Sequence, residues 1–247
     1  MPTITAQLDT VKRTPWLPDA QDGDGAVTDS KFSGIPWLAP GESWPVCKNC
    51  EAPMQLFVQI NLDTIPAPYK GKFGDGLVQL FYCTSGDPHC ESECENWFYN
   101  ETAMLVRLVK PAGAAGSPAT SPVAEAFPPK VITGWVAGDP ELPEQTEIWD
   151  VLGLDIMDPK NEPWEDYIEE NENDFLAESG EKLGGWPAWV QGMEYPACRR
   201  CGKAMELVFQ LGCGEENIPY SFGDAGIGHI TQCPDHKDIL AFGWACG

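Results

Sequence analysis

The sequence is poor in positive charge and in histidine. It has 15 lysine and arginine residues against 38 acidic ones, which gives a formal net charge of −23, and only three histidines. A chain this negative repels nucleic acid and anionic membranes, so we expect no nucleic-acid partner and no membrane partner. The charge favours association with a basic protein, although it can also serve solubility alone.

Long apolar runs and a leader pattern are missing too. No apolar run approaches the roughly 20 residues that cross a bilayer. The first residues lack a basic stretch followed by an apolar one, so we expect a cytoplasmic protein. In that compartment the ten cysteines are better explained as metal ligands than as disulfides. Buried free thiols are the remaining alternative.

The sequence also lacks the common signatures of catalysis. It has no G-x-S-x-G, no phosphate-binding G-x-x-x-x-G-K-[ST], no H-E-x-x-H and no dinucleotide fingerprint. We therefore favour a role other than an enzyme and assign no catalytic residue. The enzymatic alternative is a pocket around Asp75, Asp224, Gln59 and Gln210. Aspartates in such glycine-rich turns more often cap their own backbone.

One stretch of the chain occurs twice. Residues Cys47–Gln59 and Cys198–Gln210 share cysteines at offsets 0 and 3, a methionine at 7, a leucine at 9 and a glutamine at 12. Each copy is followed by a Phe-Gly-Asp loop, a second apolar stretch and a further cysteine. These matches predict an internal duplication in which each half is built on a C-x-x-C knuckle.

The duplication predicts a single domain over 1–247 with two pseudo-repeated halves, at about 34–110 and 184–247. A Pro/Ala-rich connector and an acidic segment, 155–181, would join them. The 25 glycines and 23 prolines, together with short apolar stretches, predict many turns and short strands. We expect an α+β fold that is mainly antiparallel β. Residues 19–25 are predicted to form a solvated acidic loop.

The cysteines predict two sets of metal ligands, because zinc prefers four soft or borderline ligands and a C-x-x-C turn supplies two. The first set is Cys47, Cys50, Cys83 and Cys90, with Cys94 or His89 as substitutes for Cys90. The second set is Cys198, Cys201, Cys233 and His236, with Cys246, or less favourably Cys213, in place of His236. Four protein ligands make a closed site, so the predicted cofactor is one or two structural zinc ions.

An acidic segment lies between the two copies. From Asp155 to Glu181 there are eleven acidic residues and one basic residue, Lys160, with apolar residues at helical spacings. One interpretation is a solvated amphipathic helix that covers the sheet. The other is an acidic face with aromatic anchors that docks on a basic partner. The predicted partner-binding residues are Glu162, Trp164, Glu165, Asp166, Tyr167, Glu169, Glu170, Glu172 and Asp174.

Four segments resemble the YwqG-like family (domain of unknown function 1963). They are Gln59–Pro66, Gly76–Cys83, Lys182–Gln191 and Phe222–Gly228. The resemblance implies an α+β fold of antiparallel strands in two related halves, and it brings no established catalytic residues. The C-x-x-C-x3-M knuckle is also similar to the programmed-cell-death-two family, whose members escort a ribosomal protein.

The resemblance also implies a function, since such domains are encoded beside antibacterial toxins, where they look like immunity proteins. With the charge run, this predicts a cytosolic protein that neutralises a basic toxin, for example a nuclease, by occluding its active or DNA-binding site. The alternative is a chaperone for a basic ribosomal protein. An uncharacterised enzyme is the less favoured third possibility.

Overall fold

The fold centres on one large antiparallel sheet. The computed structural model describes residues 3–86, 90, 98–99, 102–212 and 217–247. Its ten strands follow the order β10-β9-β8-β7-β1-β6-β2-β3-β4-β5, and every neighbouring pair is antiparallel. The strands are β1 (Pro15–Asp22), β2 (Lys31–Phe32), β3 (Gln55–Asn61), β4 (Leu77–Tyr82), β5 (Met104–Val109), β6 (Lys130–Ala137), β7 (Lys182–Gly184), β8 (Glu206–Leu211), β9 (Ile227–Gln232) and β10 (Leu240–Ala245). The predicted mainly antiparallel sheet is confirmed.

The sheet curls until it is nearly closed. Its two edge strands, β5 and β10, contact each other, and the Trp244 indole N–H donates to the Tyr82 hydroxyl over 3.0 Å. Aromatic rings fill the inside: Phe57 lies 5.2 Å from Tyr82 and 5.7 Å from Phe222 between ring centroids. Loops cover the outer face, so β4 and β9 are buried along their whole length. The polar residues that they carry, such as Gln79 in β4 and His229 in β9, are therefore buried as well.

The strand β1 corrects one prediction. Residues 19–25 were expected to form a solvated loop, yet Pro15–Asp22 is a strand at the middle of the sheet, paired with β6 and β7. Most of its side chains are only partly buried or exposed. Hydrogen bonds along both edges hold such a strand in place. Its sequence lacks the apolar pattern by which a strand is usually predicted.

Outside the sheet, the described ranges include the short helices α1 (Ile4–Leu8), α2 (Gln145–Leu152) and α3 (Glu162–Glu170). The helix α2 ends at Gly153, whose φ of 63° gives the left-handed cap that glycine adopts without steric cost. Trp164 and Ile168 of α3 pack with Phe175, Leu8 and Ile148 in a small separate core. Within the described residues, no helix is both long and apolar enough to span a bilayer.

Two fully buried lysines neutralise their charge in similar ways. Lys31 donates to Asp24 over 2.6 Å, and Lys182 donates to Glu141 over the same distance. Each carboxylate also accepts a backbone N–H, from Ile35 at 3.0 Å and from Trp186 at 2.7 Å, respectively. Buried charges need such partners because desolvation is otherwise costly. These pairs fix the loops that enter β2 and leave β7.

His229 is a buried group that makes the fold sensitive to acid. It lies opposite Gln210 in the sheet, and its ring is tilted by 51° against that of Trp189, with the ring centroids 4.7 Å apart. Its Nε2 has no hydrogen-bond partner in the described structure. Burial, aided by the nearby Lys182 ammonium, lowers its pKa to about 3 from an ordinary 6.5. Between these pH values the unfolded chain binds the extra proton, so stability is lost as the pH falls.

We expect His229→Gln to flatten the acid side of the stability profile. Glutamine fits a similar pairing in this sheet, because Gln79 of β4 lies opposite Gln59 as His229 of β9 lies opposite Gln210. The variant should lose less unfolding free energy than the wild type between about pH 6.5 and pH 4, by up to about 1.4 kcal/mol per pH unit. Urea titrations at several pH values measure this, with each protein referenced to its own value at neutral pH. Parallel profiles would contradict the assignment.

Candidate metal centres

Both C-x-x-C segments fold into the same kind of turn. The Cys47 N–H donates to Ala52 O over 2.9 Å, and the Glu51 N–H donates back to Cys47 O. In the second copy the Cys198 N–H donates to Lys203 O over 2.8 Å, and the Gly202 N–H donates to Cys198 O. The tight turn brings the two sulfurs of each motif close together. The backbone at Glu51 and Gly202 is left-handed, with φ of 60° and 72°.

The first turn meets two further cysteines. Cys83 follows the last residue of β4, and its N–H donates to Ala103 O over 2.8 Å. The Cys50 sulfur lies 3.7 Å from that of Cys83, and the Cys47 sulfur lies 3.7 Å from that of Cys90. All four sulfurs lie within 4.8 Å of one another. The structure thus gathers Cys47, Cys50, Cys83 and Cys90, the first set predicted from the sequence.

The second turn gathers three cysteines and a histidine. Cys233 follows β9, and His236 comes three residues later in the loop that leads to β10. The Cys201 and Cys233 sulfurs are 3.6 Å apart, while the His236 Nδ1 lies 3.5 Å from Cys233 and 3.8 Å from Cys198. These four ligand atoms also lie within 4.8 Å of one another. They are the second predicted set.

The distances fit ligands around an ion and do not fit disulfides. A disulfide holds its sulfurs about 2.05 Å apart, whereas the sulfurs of Cys201 and Cys233 lie 3.6 Å apart, and none of the eight described cysteines forms a disulfide. A tetrahedron with metal–sulfur bonds of about 2.3 Å has edges of about 3.8 Å. Each group therefore could hold one metal ion with little movement of its side chains.

Hydrogen bonds prepare one thiolate in each group. Burial opposes ionisation of Cys50, but bonds from the Ser85 side chain and the Ala52 backbone outweigh it and lower its pKa to about 6. Burial likewise opposes ionisation of Cys198, and the backbone N–H groups of Arg200 and Cys201 lower its pKa to about 6. Burial dominates at Cys90 and raises its pKa to about 11. Metal binding would therefore release protons from the remaining thiols.

The alternative ligands are not part of these groups as described. Cys246 is outside the second group and lies against Gly223 at the end of β10. His89, Cys94 and Cys213 lie outside the described residues. The sequence leaves the fourth ligand of each group open, because the length of a loop does not determine which of its residues lies next to the C-x-x-C turn.

The predicted partner-binding residues divide into an outer and an inner set. Seven carboxylates are exposed, and we call them the acidic surface: Glu162, Glu165, Asp166, Glu169, Glu170, Glu172 and Asp174. Tyr167 is half-buried. Trp164 is only 5% exposed and packs inward, so it offers little surface to a partner, and its role as an anchor stays a prediction. A tryptophan at that helical spacing serves the small core beneath α3.

The residues of the enzymatic alternative do not converge. Gln59 and Gln210 are fully buried and bond to backbone groups. Asp75 is an exposed residue that pairs with Lys110 over 2.9 Å, and Asp224 is exposed as well. Two fully buried glutamines and two exposed aspartates do not line a shared pocket.

We expect Glu51→Gly to stabilise the protein, because Glu51 occupies a left-handed position that costs a side chain about 1 kcal/mol. The gain should be roughly 0.5–1 kcal/mol, since glycine also adds freedom to the unfolded chain. Urea unfolding measures it. Glu51→Ala, which removes the same charge and keeps the strain, should bring no gain. An equal gain from alanine would assign the effect to charge.

Comparison with known proteins places the chain in a family. A stretch of 68 residues is 35% identical to the uncharacterized protein YpfL of Salmonella typhimurium (strain LT2), covering 28% of this chain and 15% of that protein. The chain thus spans a small part of that relative's length. A match this short transfers no activity from that protein to this chain. The model of the family described as "Domain of unknown function (DUF1963)" matches residues 30–235. Because that match covers most of the chain, the protein belongs to the DUF1963 family.

Proposed function

We propose that the protein is a cytosolic binding module of two related halves, each built around one structural zinc ion. We further propose that its acidic surface binds a basic protein. The single observation that supports partner binding is a dense set of exposed carboxylates, of which those on α3 form no ion pair with the described lysines and arginines. The zinc ions would hold the scaffold that presents this surface.

The relation between the halves is supported by matched buried contacts. The Gln59 amide donates to Val27 O and Asp29 O, and its oxygen accepts from the Trp37 N–H. The Gln210 amide donates in the same way to Glu178 O and Gly180 O, and its oxygen accepts from the Ala188 N–H. The paired lysines and the two C-x-x-C turns add further matches.

Zinc is the metal that the ligand chemistry favours. Thiolate and imidazole ligands suit zinc, and closed sets of four such ligands are typical of structural sites. Within the described residues each group has four ligands, so no position is left for a substrate water. An ion at each group would join a C-x-x-C turn to the loop that follows β4 or β9. Its binding free energy would add to that of folding.

We expect purified protein to contain about two zinc ions per chain. Cys233→Ser should lose one ion and reduce stability by several kcal/mol, on the order of structural zinc sites. Cys246→Ser is the matched control, since that thiol lies outside both groups, and it should keep both ions. Elemental analysis and native mass spectrometry measure the content. Protein that carries no metal after gentle purification, and takes up none, would contradict the proposal.

The Lys12 ammonium attracts Asp174 at one end of the acidic surface, whereas the carboxylates of α3 lack such compensation. In the described part of the chain, no lysine or arginine nitrogen lies within 4.0 Å of the carboxylates of α3. Like charges at such density repel one another, and a basic partner removes that repulsion and speeds association. The apolar contacts come from other residues than predicted. Ile156, Met157 and Leu176 are exposed by 53%, 82% and 70%.

The most specific form of the proposal is an immunity protein. The partner would be a basic toxin such as a nuclease, whose active or DNA-binding site attracts phosphates and would attract this surface for the same reason. A chaperone for a basic ribosomal protein uses the same charge complementarity. The identity of the bound partner separates these two functions.

The test is capture of the partner from the native host by tagged protein, followed by its identification by mass. We expect one basic protein to bind, with affinity that falls as salt rises. Charge reversal of Glu165, Asp166, Glu169 and Glu170 to lysine should weaken binding at least about tenfold. A toxin supports the immunity role, and a ribosomal protein supports the chaperone role.

A matched control separates the effect of where the charges lie from the effect of the protein's net charge. Reversal of four scattered exposed carboxylates adds the same charge elsewhere: Asp19, Asp63, Glu125 and Asp224. This variant should keep most of the affinity. Equal losses in the two variants would mean that net charge alone matters, and unchanged binding in both would reject the acidic surface as the contact.

A further inference from the structure

A second surface feature lies at the seam of the sheet, away from the acidic surface. A cleft of about 290 Å³ opens where the edge strands β5 and β10 meet. Residues of both C-x-x-C turns form part of its wall. We call it the seam cleft. Its volume is near the lower end of the roughly 300–1,000 Å³ of sites for small molecules, so its ligand would be small.

The seam cleft gathers cations in a strongly acidic protein. Lys48, Arg107 and Arg199 line it, and Glu42 is the single carboxylate among its lining residues described. Lys48 and Arg199 occupy the same position in the two turns, immediately after the first cysteine. The two copies of the turn thus place equivalent cations on one cleft. A chain of net charge −23 gives no general reason for such a gathering.

Arg107 supplies a donor that lacks a partner. Its Nε donates to Gln79 Oε1 over 2.9 Å, and its Nη1 pairs with Glu42. The remaining nitrogen, Nη2, is buried and has no hydrogen-bond partner in the described structure. Buried donors are nearly always satisfied, so an orphan nitrogen on a residue that lines the cleft favours an acceptor supplied by a ligand. Guanidinium groups favour carboxylate and phosphate oxygens.

The rest of the cleft wall is mainly apolar. Met54, Met104, Val106, Leu240 and Phe242 line it. The Arg199 guanidinium lies 4.2 Å above the Tyr99 ring, a stacking contact that limits its freedom. A ligand that fits both parts of the wall carries an oxyanion at one end and an apolar body at the other.

We propose that the seam cleft binds a small amphipathic oxyanion, a carboxylate or a phosphate ester. Arg107, Lys48 and Arg199 meet its charged group, and the apolar wall that includes Met104 and Phe242 contacts its body. This site does not depend on the acidic surface, so it stands whether or not a basic protein binds there.

Calorimetric titration of the zinc-loaded full chain tests the proposal with hexanoate, hexyl phosphate and neutral hexanamide. We expect one anion per chain to bind, with hexanamide at least about tenfold weaker because it lacks the charge. The stronger of the two anions identifies carboxylate or phosphate as the natural head group. Equal binding of hexanamide, or no saturable binding of either anion up to about 10 mM, would overturn the proposal.

Variants locate the site. Lys48→Ala and Arg199→Ala change exposed residues and should leave the fold and the zinc content intact, while each weakens anion binding about tenfold. Arg200→Ala is the matched control, because Arg200 is the next residue of the same turn and pairs outside the cleft with Asp238 over 2.6 Å. It should bind as the wild type does. A double variant of Lys48 and Arg199 that binds the anion unchanged would overturn the proposal.

Discussion

The structure depends on the joining of each C-x-x-C turn to the loop that follows a distant strand. Cys47 meets Cys90, 43 residues later, and Cys198 meets His236, 38 residues later. Thiols held in such a group without an ion gain little, because S–H groups are weak donors and acceptors. A metal would convert the group into four strong bonds, and its binding free energy would then be folding free energy. We therefore expect the two groups to hold the loops outside the sheet in place.

The other features take their places relative to these points. The turns meet the cysteines that follow β4 and β9 and also form part of the wall of the seam cleft. The acidic surface belongs to a different part of the molecule, where α3 packs on its own small core. Changes in its exposed charges need not disturb the metal groups. Scaffold and proposed contact surface can therefore vary independently of each other.

The sequence predicts the metal groups better than it predicts the rest. Cysteine spacing depends on local turn geometry, so the pairs Cys47–Cys50 and Cys198–Cys201 could be recognised directly, and the apolar strands led to Cys83 and Cys233. The fourth ligands depend on loop paths, which spacing does not encode. The strand β1 was missed because both its edges are paired while its side chains remain partly exposed. The burial of Trp164 could not be predicted, because an aromatic residue in an acidic helix has the same pattern whether it faces a core or a partner.

X-ray absorption at the zinc edge of the purified protein tests the central claim most directly. The account predicts bound zinc whose scatterers are mainly sulfur at about 2.3 Å, with seven sulfurs and one nitrogen shared between two ions. Cys233→Ser should shift the spectrum toward the four-sulfur environment of the remaining group. Zinc surrounded mainly by oxygen or nitrogen would contradict the account, because the thiol groups would then not be what holds the metal.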